Sequence, residues 1–444
     1  MTSKAISAYL SRHAESQAVE LAAEISGSWR VAVSIPACGE GEGLIATLKS
    51  LRAAEAAAGS LIIVLVNAAV DAASHHHRAN ELTLSLFEVE GPGPLWLTQW
   101  QGMDVVLWDK ASESRRLPRG QGVGLARKLG ADLALALYVR GVLESPWLRT
   151  TDADVQVPHD YLIRALPQGC AAALFAFVHD VEGDEAQRLS MTRYEAYLHY
   201  YTAGLRWAGS HYAYTAIGSA IAVHLSAYAM VRGFPKRQAG EDFYLLNKLA
   251  KVGPVRHMAG APIHVRGRLS DRVPFGTGAA LLDMVQSEAV YRVYAPESFQ
   301  GLRLTLHAWS DFAHHWQIKD LTAALAEAER HCSGVVDAAA AIGLMKAAEK
   351  IAAQQGAVEP KRRRLREWFD AFRTLKWMHH IRDHNWPARA LSEALDSAGF
   401  VDRQDPSNES TTLLERVAAM GQGLTSTQST VCGPLLSKGR PTSR

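Results

Sequence analysis

The stretch Ser60–Val66 reads SLIIVLV, and no polar side chain follows Ser60 until Asn67. A strand with one face in water alternates polar and apolar residues; a continuous apolar run fits a strand covered on both faces, as in a parallel sheet flanked by helices. Upstream, Val31–Leu44 (VAVSIPACGEGEGL) reads as a strand over Arg30–Ile35 ended by Pro36, then a turn. Gly41–Ala57 (GEGLIATLKSLRAAEAA) follows with helical periodicity and strong helix formers. Downstream, Asn80–Leu86 and Ala126–Leu137 are predicted helices, and Val105–Asp109 and Trp147–Thr151 predicted strands. This alternation predicts an α/β fold, a mixed sheet flanked by helices and joined by right-handed crossovers.

Outward from that unit, residues 1–26 are expected to form an N-terminal helix. From about residue 300 the texture turns helical, over Ala308–Ala353 and Lys361–His384. The expected organisation is therefore a helix at 1–26, an α/β domain at 27–298, a helical region at 299–419 and a disordered tail at 420–444, rich in Gly, Ser, Thr and Pro. The 444 residues are 48% hydrophobic and 21% charged, a globular composition. A net charge of +2 gives no reason to expect a nucleic-acid partner. Cys38, Cys170, Cys332 and Cys432 lie far apart and form no CxxC pair, which argues against a zinc knuckle and for a reducing compartment. With no signal-like segment at the start and no apolar run of roughly 18 residues, a soluble, cytoplasmic protein is expected.

Three features at the ends of predicted strands carry chemistry. Ligands of open α/β sheets sit beyond the carboxyl ends of strands. The turn after the first strand is placed there, with Gly39, Gly41 and Gly43 permitting close backbone approach and Glu40 or Glu42 able to accept hydrogen bonds from a base or ribose. The strand in WLRTTDADVQV (Trp147–Val157) ends in Asp152-Ala153-Asp154. In extended chain, residues two apart face one side, so both carboxylates can address one hard divalent ion, Mg²⁺ or Mn²⁺. In AGEDFYLLNKLAKVG, Glu241 and Asp242 open a helix closed by Gly253. Acids there complement the helix dipole, or one of them is a general base aimed into a cleft.

Together these elements resemble the GT-A glycosyltransferases, specifically the family 2-like group. The order matches over about residues 30–280: Pro36–Glu42, then Asp152-Ala153-Asp154, then Glu241-Asp242, preceded by IGSAIAVHLSAYAMVRGFP at Ile217–Pro235. The resemblance implies a GT-A fold, a nucleotide-diphosphate sugar donor, a hydroxyl acceptor and a divalent metal, Mn or Mg. Pro36, Ala37, Glu40 and Asn67 would contact the nucleotide. Asp152 would meet the ribose or metal, Asp154 the metal and diphosphate, and Asp242, beside Glu241, would be the catalytic base. His264 would complete the metal's ligands. One departure stands out: the family's Asp-rich element after the second strand is here Val66-Asn67-Ala68-Ala69-Val70-Asp71.

Further candidates follow. In PRGQGVGLARKL (Pro118–Leu129), Arg127 and Lys128 sit behind a Gly-rich turn and suit a diphosphate. PIHVRGRLSDRVPFGTG (Pro262–Gly278) carries Arg266, Arg268 and Arg272, and reads as a loop that closes over phosphates and excludes water. Tyr194, Tyr197, Tyr200, Tyr201 and Trp207 crowd one predicted helix, a stripe that fits core packing better than sugar stacking. His75-His76-His77 reads as a solvated loop. Lys361–Arg366 (KRRRLR) with Trp368, Phe369, Phe372 and Leu375 forms a basic amphipathic helix over 361–377, which either lies on an anionic membrane surface or packs its aromatic face on the core. The alternatives from other classes are a nucleotidyltransferase, whose Gly-rich, Lys-bearing signature is not evident at residues 31–48, and a catalytically silent nucleotide-binding scaffold. A dinucleotide-dependent dehydrogenase is disfavoured, because Gly39-Glu40-Gly41 lacks the third glycine at the required spacing.

Overall fold

A computed structural model describes residues 2–181, 183–267 and 291–401 of the chain. The strands up to residue 267 are β1 (Val31–Ala37), β2 (Ser60–Asn67), β3 (Leu95–Trp100), β4 (Met103–Lys110), β5 (Trp147–Thr150), β6 (Val155–Gln156), β7 (Ala172–Leu174), β8 (Phe177–Val181), β9 (Ile221–His224), β10 (Val255–His257) and β11 (Ile263–Gly267). Eight of them form one sheet in the order β10-β7-β9-β5-β1-β2-β4-β3, and β6, β11 and β8 form a small second sheet. In the centre, β5, β1, β2 and β4 run parallel, so their carboxyl ends share one edge. β9 and β3 run antiparallel to their neighbours.

Every residue of β2 is buried. Leu61, Ile63 and Leu65 enter the core on one face, and Ile62, Val64 and Val66 the core on the other. The unbroken apolar run is thus a strand with helices on both sides. β1 continues through Pro36 to Ala37, two residues beyond the expected end. Its pairing with β5 stops at Ser34, so the N–H that Pro36 lacks is not needed on that side. β3 was not expected; on the edge of the sheet it alternates with partly exposed residues and carries no strong apolar run.

Helix α1 (Thr2–Arg12) and helix α2 (Ser16–Glu24) replace the single helix expected over 1–26. The break falls where the backbone N–H of Glu15 donates to Asp132 Oδ2 at 2.8 Å. Helices α3 (Leu44–Ala53) and α4 (Ser74–Ser85) follow β1 and β2, and α5 (Gly122–Val139) lies behind the sheet. α5 is buried continuously from Gly124 to Leu137, polar residues included. Helix α6 (Glu185–Trp207), the short α7 (Leu225–Met230) and α8 (Glu241–Leu249) complete this part. His75, His76 and His77 stand in the first turn of α4, not in a loop.

Beyond residue 295 seven helices, from Pro296–His315 to Leu391–Ser397, surround their own core, which includes Phe299, Trp309 and Trp377. Trp368 and Phe369 of the basic segment pack into it, and Phe372 meets the rings of Phe243 and Tyr244, so the aromatic face is turned to protein. Asp370 ties this region to α8 by accepting from Lys251 Nζ at 2.6 Å, while Asn247 Oδ1 accepts from Ala371 N at 2.9 Å. The mixed sheet flanked by helices, with a helical C-terminal part, is the expected fold class. No helix among the described residues is long and apolar enough to cross a membrane.

Candidate active site

A cleft of about 800 Å³ opens at the carboxyl edge of the parallel strands. One end is built from the loops after β1 and β2, where Pro36, Cys38, Glu40, Asn67 and Asp71 line it. Asn80 of α4 holds these loops together: its Oδ1 accepts from Gly39 N at 2.8 Å and its Nδ2 donates to Asn67 O at 3.0 Å. The Oδ1 of Asn67 is buried and meets no hydrogen-bond partner among the described residues. Ala37 lies in the core beneath, and Glu42 is exposed.

Asp152 and Asp154 line the middle of the cleft. They leave β5 in a turn rather than in extended chain, with Ala153 buried between them. α3 anchors that turn: Thr47 Oγ1 donates to Val155 O at 2.8 Å, and Ser50 Oγ accepts from Val157 N at 3.1 Å. Across the cleft, Glu241 and Asp242 open α8 after Gly240, whose φ of 70° sets the left-handed turn into the helix.

One buried cation joins the two acidic motifs. Arg127 of α5 donates from Nε to Glu241 Oε1 at 2.8 Å and from Nη2 to Asp152 Oδ1 at 2.5 Å. Gly218 makes room for it, since a Cβ there would lie 2.4 Å from Nη2. Burial opposes the charge of Arg127, but Asp152, Glu241 and Asp242 outweigh it and hold the guanidinium ionised. Asp242 experiences the reverse balance: burial and the neighbouring Glu241 carboxylate push it up to about 7, against the pull of Arg127. A carboxyl titrating there is matched to proton transfer near neutral pH.

Two expected site residues stand elsewhere. Lys128 follows Arg127 on α5 and so points about 100° round the helix. Its Nζ is buried behind the sheet, donating to Tyr9 Oη at 2.6 Å and Asp132 Oδ2 at 2.9 Å, so it does not reach the cleft. His264 pairs with Asp180 at 2.9 Å on the exposed side of β11, whereas the next residues, Val265 and Arg266, face the cleft. His264 is held there by its Asp180 partner and does not line the cleft. Arg272, with Arg268 and the glycines of the expected closing loop, lies outside the described residues.

The cleft also holds residues that were not expected there. Tyr194, Tyr197, Leu198, Tyr201 and Thr202 of α6 line it, one stripe at the i, i+3, i+4, i+7, i+8 spacing. The tyrosine crowd on α6 serves both: Tyr200 is sealed against Phe299 in the helical core, Tyr197 and Tyr201 pack on that core while lining the cleft, and Tyr194 lines the cleft. His76 and His179 line it too. A polar His within the short strand FVHDV is the only signal that could have marked His179.

Among the described residues no group of three His, Cys, Asp or Glu side chains is arranged to hold a metal ion. The carboxylates of Asp152 and Asp154 are nonetheless hard oxygen donors on the cleft wall. A Mg²⁺-type ion that also binds substrate phosphates takes only one or two protein carboxylates, so this pair fits such an ion.

No protein-family model matches the chain, and no curated protein matches it. Among solved structures it is similar to S. aureus TarS 1-349 in complex with UDP-GlcNAc, at 11% identity and a TM-score of 0.35, over 76% of this chain and 89% of that one. It is also similar to the mannosyltransferase PcManGT from Pyrobaculum calidifontis in complex with GDP-Man and Mn²⁺, at 15% identity and a TM-score of 0.30, over 87% of this chain and 100% of that one.

Proposed function

We propose that this chain is a GT-A-type glycosyltransferase that moves a sugar from a nucleoside-diphosphate donor to a hydroxyl acceptor. The observation that carries the reading is the meeting of Asp152, Asp154, Glu241 and Asp242 in one cleft at the carboxyl edge of a parallel sheet, organised by Arg127. In this reading the nucleotide occupies the end walled by Pro36, Glu40 and Asn67, where the unpartnered Asn67 Oδ1 can accept from a base N–H. Asp154, with the Asp152 oxygen that Arg127 leaves, would hold a divalent ion. Such an ion, when bound, offsets the charge that builds on the departing diphosphate.

The chain's own residues supply the rest. Asp242 takes the proton from the acceptor hydroxyl as that oxygen bonds to the anomeric carbon. The bond from that carbon to the diphosphate oxygen breaks, and the nucleoside diphosphate leaves with the electron pair. Glu241 keeps Asp242 basic through its charge, and Arg127 bridges Glu241 and Asp152.

Thermal-shift and calorimetric titration with UDP, GDP and ADP, each with and without Mn²⁺, tests the reading. The expected result is stabilisation by at least one diphosphate that Mn²⁺ strengthens and Asp154→Asn abolishes, at unchanged folding of the variant. No stabilisation by any of the three overturns the enzyme and leaves a scaffold.

A further inference from the structure

The small sheet beside the cleft holds a buried acid–imidazole pair that the proposed donor chemistry does not use. The side chain of His179 on β8 is fully buried, and Glu195 Oε2 on α6 accepts from its backbone N–H at 2.7 Å and lies 2.8 Å from its Nδ1. Burial disfavours a charge on Glu195, yet hydrogen bonds from His179 and His199 hold its carboxyl down to about 2. An ionised Glu195 can only accept, so it fixes the His179 tautomer: Nδ1 carries the proton, and in the neutral ring Nε2 presents a lone pair.

That Nε2 is buried and meets no hydrogen-bond partner among the described residues. Its ring neighbours offer π faces and edges: Phe177 at 5.4 Å and Tyr194 at 6.1 Å between centroids. A buried polar atom left unsatisfied is costly, and native structures pair such atoms with protein, water or ligand. His179 is part of the cleft wall, next to the aromatic stripe of α6. A pyranose ring matches this combination, with C–H faces for the rings of Tyr194, Tyr197 and Tyr201 and hydroxyls at its edge for an imidazole in the same wall.

We propose that His179, oriented by Glu195, binds a hydroxyl of the acceptor, and that the tyrosine-walled part of the cleft makes this acceptor a saccharide. The proposal rests on the glycosyltransferase reading for the word acceptor, but the sugar site itself does not need the donor. Its position on α6 and β8 is separate from the wall formed by Pro36, Glu40 and Asn67, so the two sites can fail independently.

The test uses the full chain and a panel of methyl hexosides. Saturation-transfer NMR without donor reads hexoside binding in the parent, His179→Ala and His179→Gln, the last keeping a hydrogen-bonding group near the Nε2 position. Melting temperature confirms that each variant folds, and UDP and GDP titrations with Mn²⁺ read the donor end. The expected result is binding of at least one hexoside, weakened about tenfold or more in His179→Ala and largely restored in His179→Gln, with diphosphate binding the same in all three. In a transfer assay the Ala variant raises KM for the hexoside and leaves KM for the donor unchanged. The inference is overturned if His179→Ala binds the hexoside like the parent, or if no hexoside binds the parent at millimolar concentration. Failure of the parent to bind any diphosphate while hexosides still bind overturns the donor reading and leaves the sugar site standing.

Discussion

Arg127 and Lys128 are neighbours on one buried helix, and both are ion-paired, yet they belong to different devices. Arg127 looks forward and joins Asp152 to Glu241, and the side chain of Asp152 stays 34% exposed to the cleft. Lys128 looks back to Asp132, which is wholly buried and also accepts from Tyr9 at 2.5 Å and Tyr228 at 2.8 Å. The rear cluster fastens α1 and α7 onto α5; Gly233, at a φ of 67°, leaves the space, since a Cβ there would lie 2.4 Å from the Tyr9 hydroxyl. The contrast teaches that burial of a charge does not by itself mark a functional site. What separates the two is whether the partners keep an open face that a ligand can reach.

The forward network should break hardest. Arg127→Met leaves two carboxylates uncompensated beside Asp242, and removing one partner of a buried pair costs about 3–5 kcal/mol. Denaturant unfolding should show that loss, and diphosphate binding in the presence of Mn²⁺ should vanish with it. A variant that kept parental stability would show that Arg127 does not hold the acidic motifs together.

Asp242→Asn sharpens the same side by separating chemistry from stability. Losing a positioned general base lowers the transfer rate about 10²–10⁴-fold. The folded carboxyl titrates near 7, above its unfolded value, so its stabilising contribution is complete below about pH 4 and lost as pH rises through 7. The Asn variant should therefore melt no earlier than the parent at pH 8, with their difference opening between pH 4 and 7. The parent's rate should climb over the same window and level off above it. A flat pH–rate profile would take the base role from Asp242.

Lys128→Met should do least. Burial already raises the Asp132 carboxyl, so it can take up a proton when the lysine is gone, and the two tyrosine hydroxyls remain. The expected cost is about 1–3 kcal/mol in unfolding, with diphosphate and hexoside titrations unchanged. Weakened binding in this variant would couple the rear cluster to the cleft and erase the distinction drawn here.

Much of this molecule is legible in its sequence, and the legible part has a common cause. SLIIVLV reads as a strand buried on both faces, and Asp152-Ala153-Asp154 and Glu241-Asp242 stand at the end of one element and the start of another, where open α/β sheets place ligands. These are local signals: the period of burial and the chemistry of a few adjacent residues, read without knowing any partner. The rest depends on which way a side chain faces. Arg127 and Lys128 look alike in sequence, and only the rotation of α5 sends one to the cleft and the other behind the sheet. The Asp180 contact keeps His264 out of a cleft that its neighbours Val265 and Arg266 line, and α6 presents some tyrosines to the cleft and seals Tyr200 in the helical core. His179 carried almost no signal, because its meaning comes from Glu195 on another element and from an imidazole nitrogen without a partner. Local pattern therefore determined the fold class and the acidic motifs. Packing between distant elements decided which charges meet, which are sealed away and which remain for a ligand.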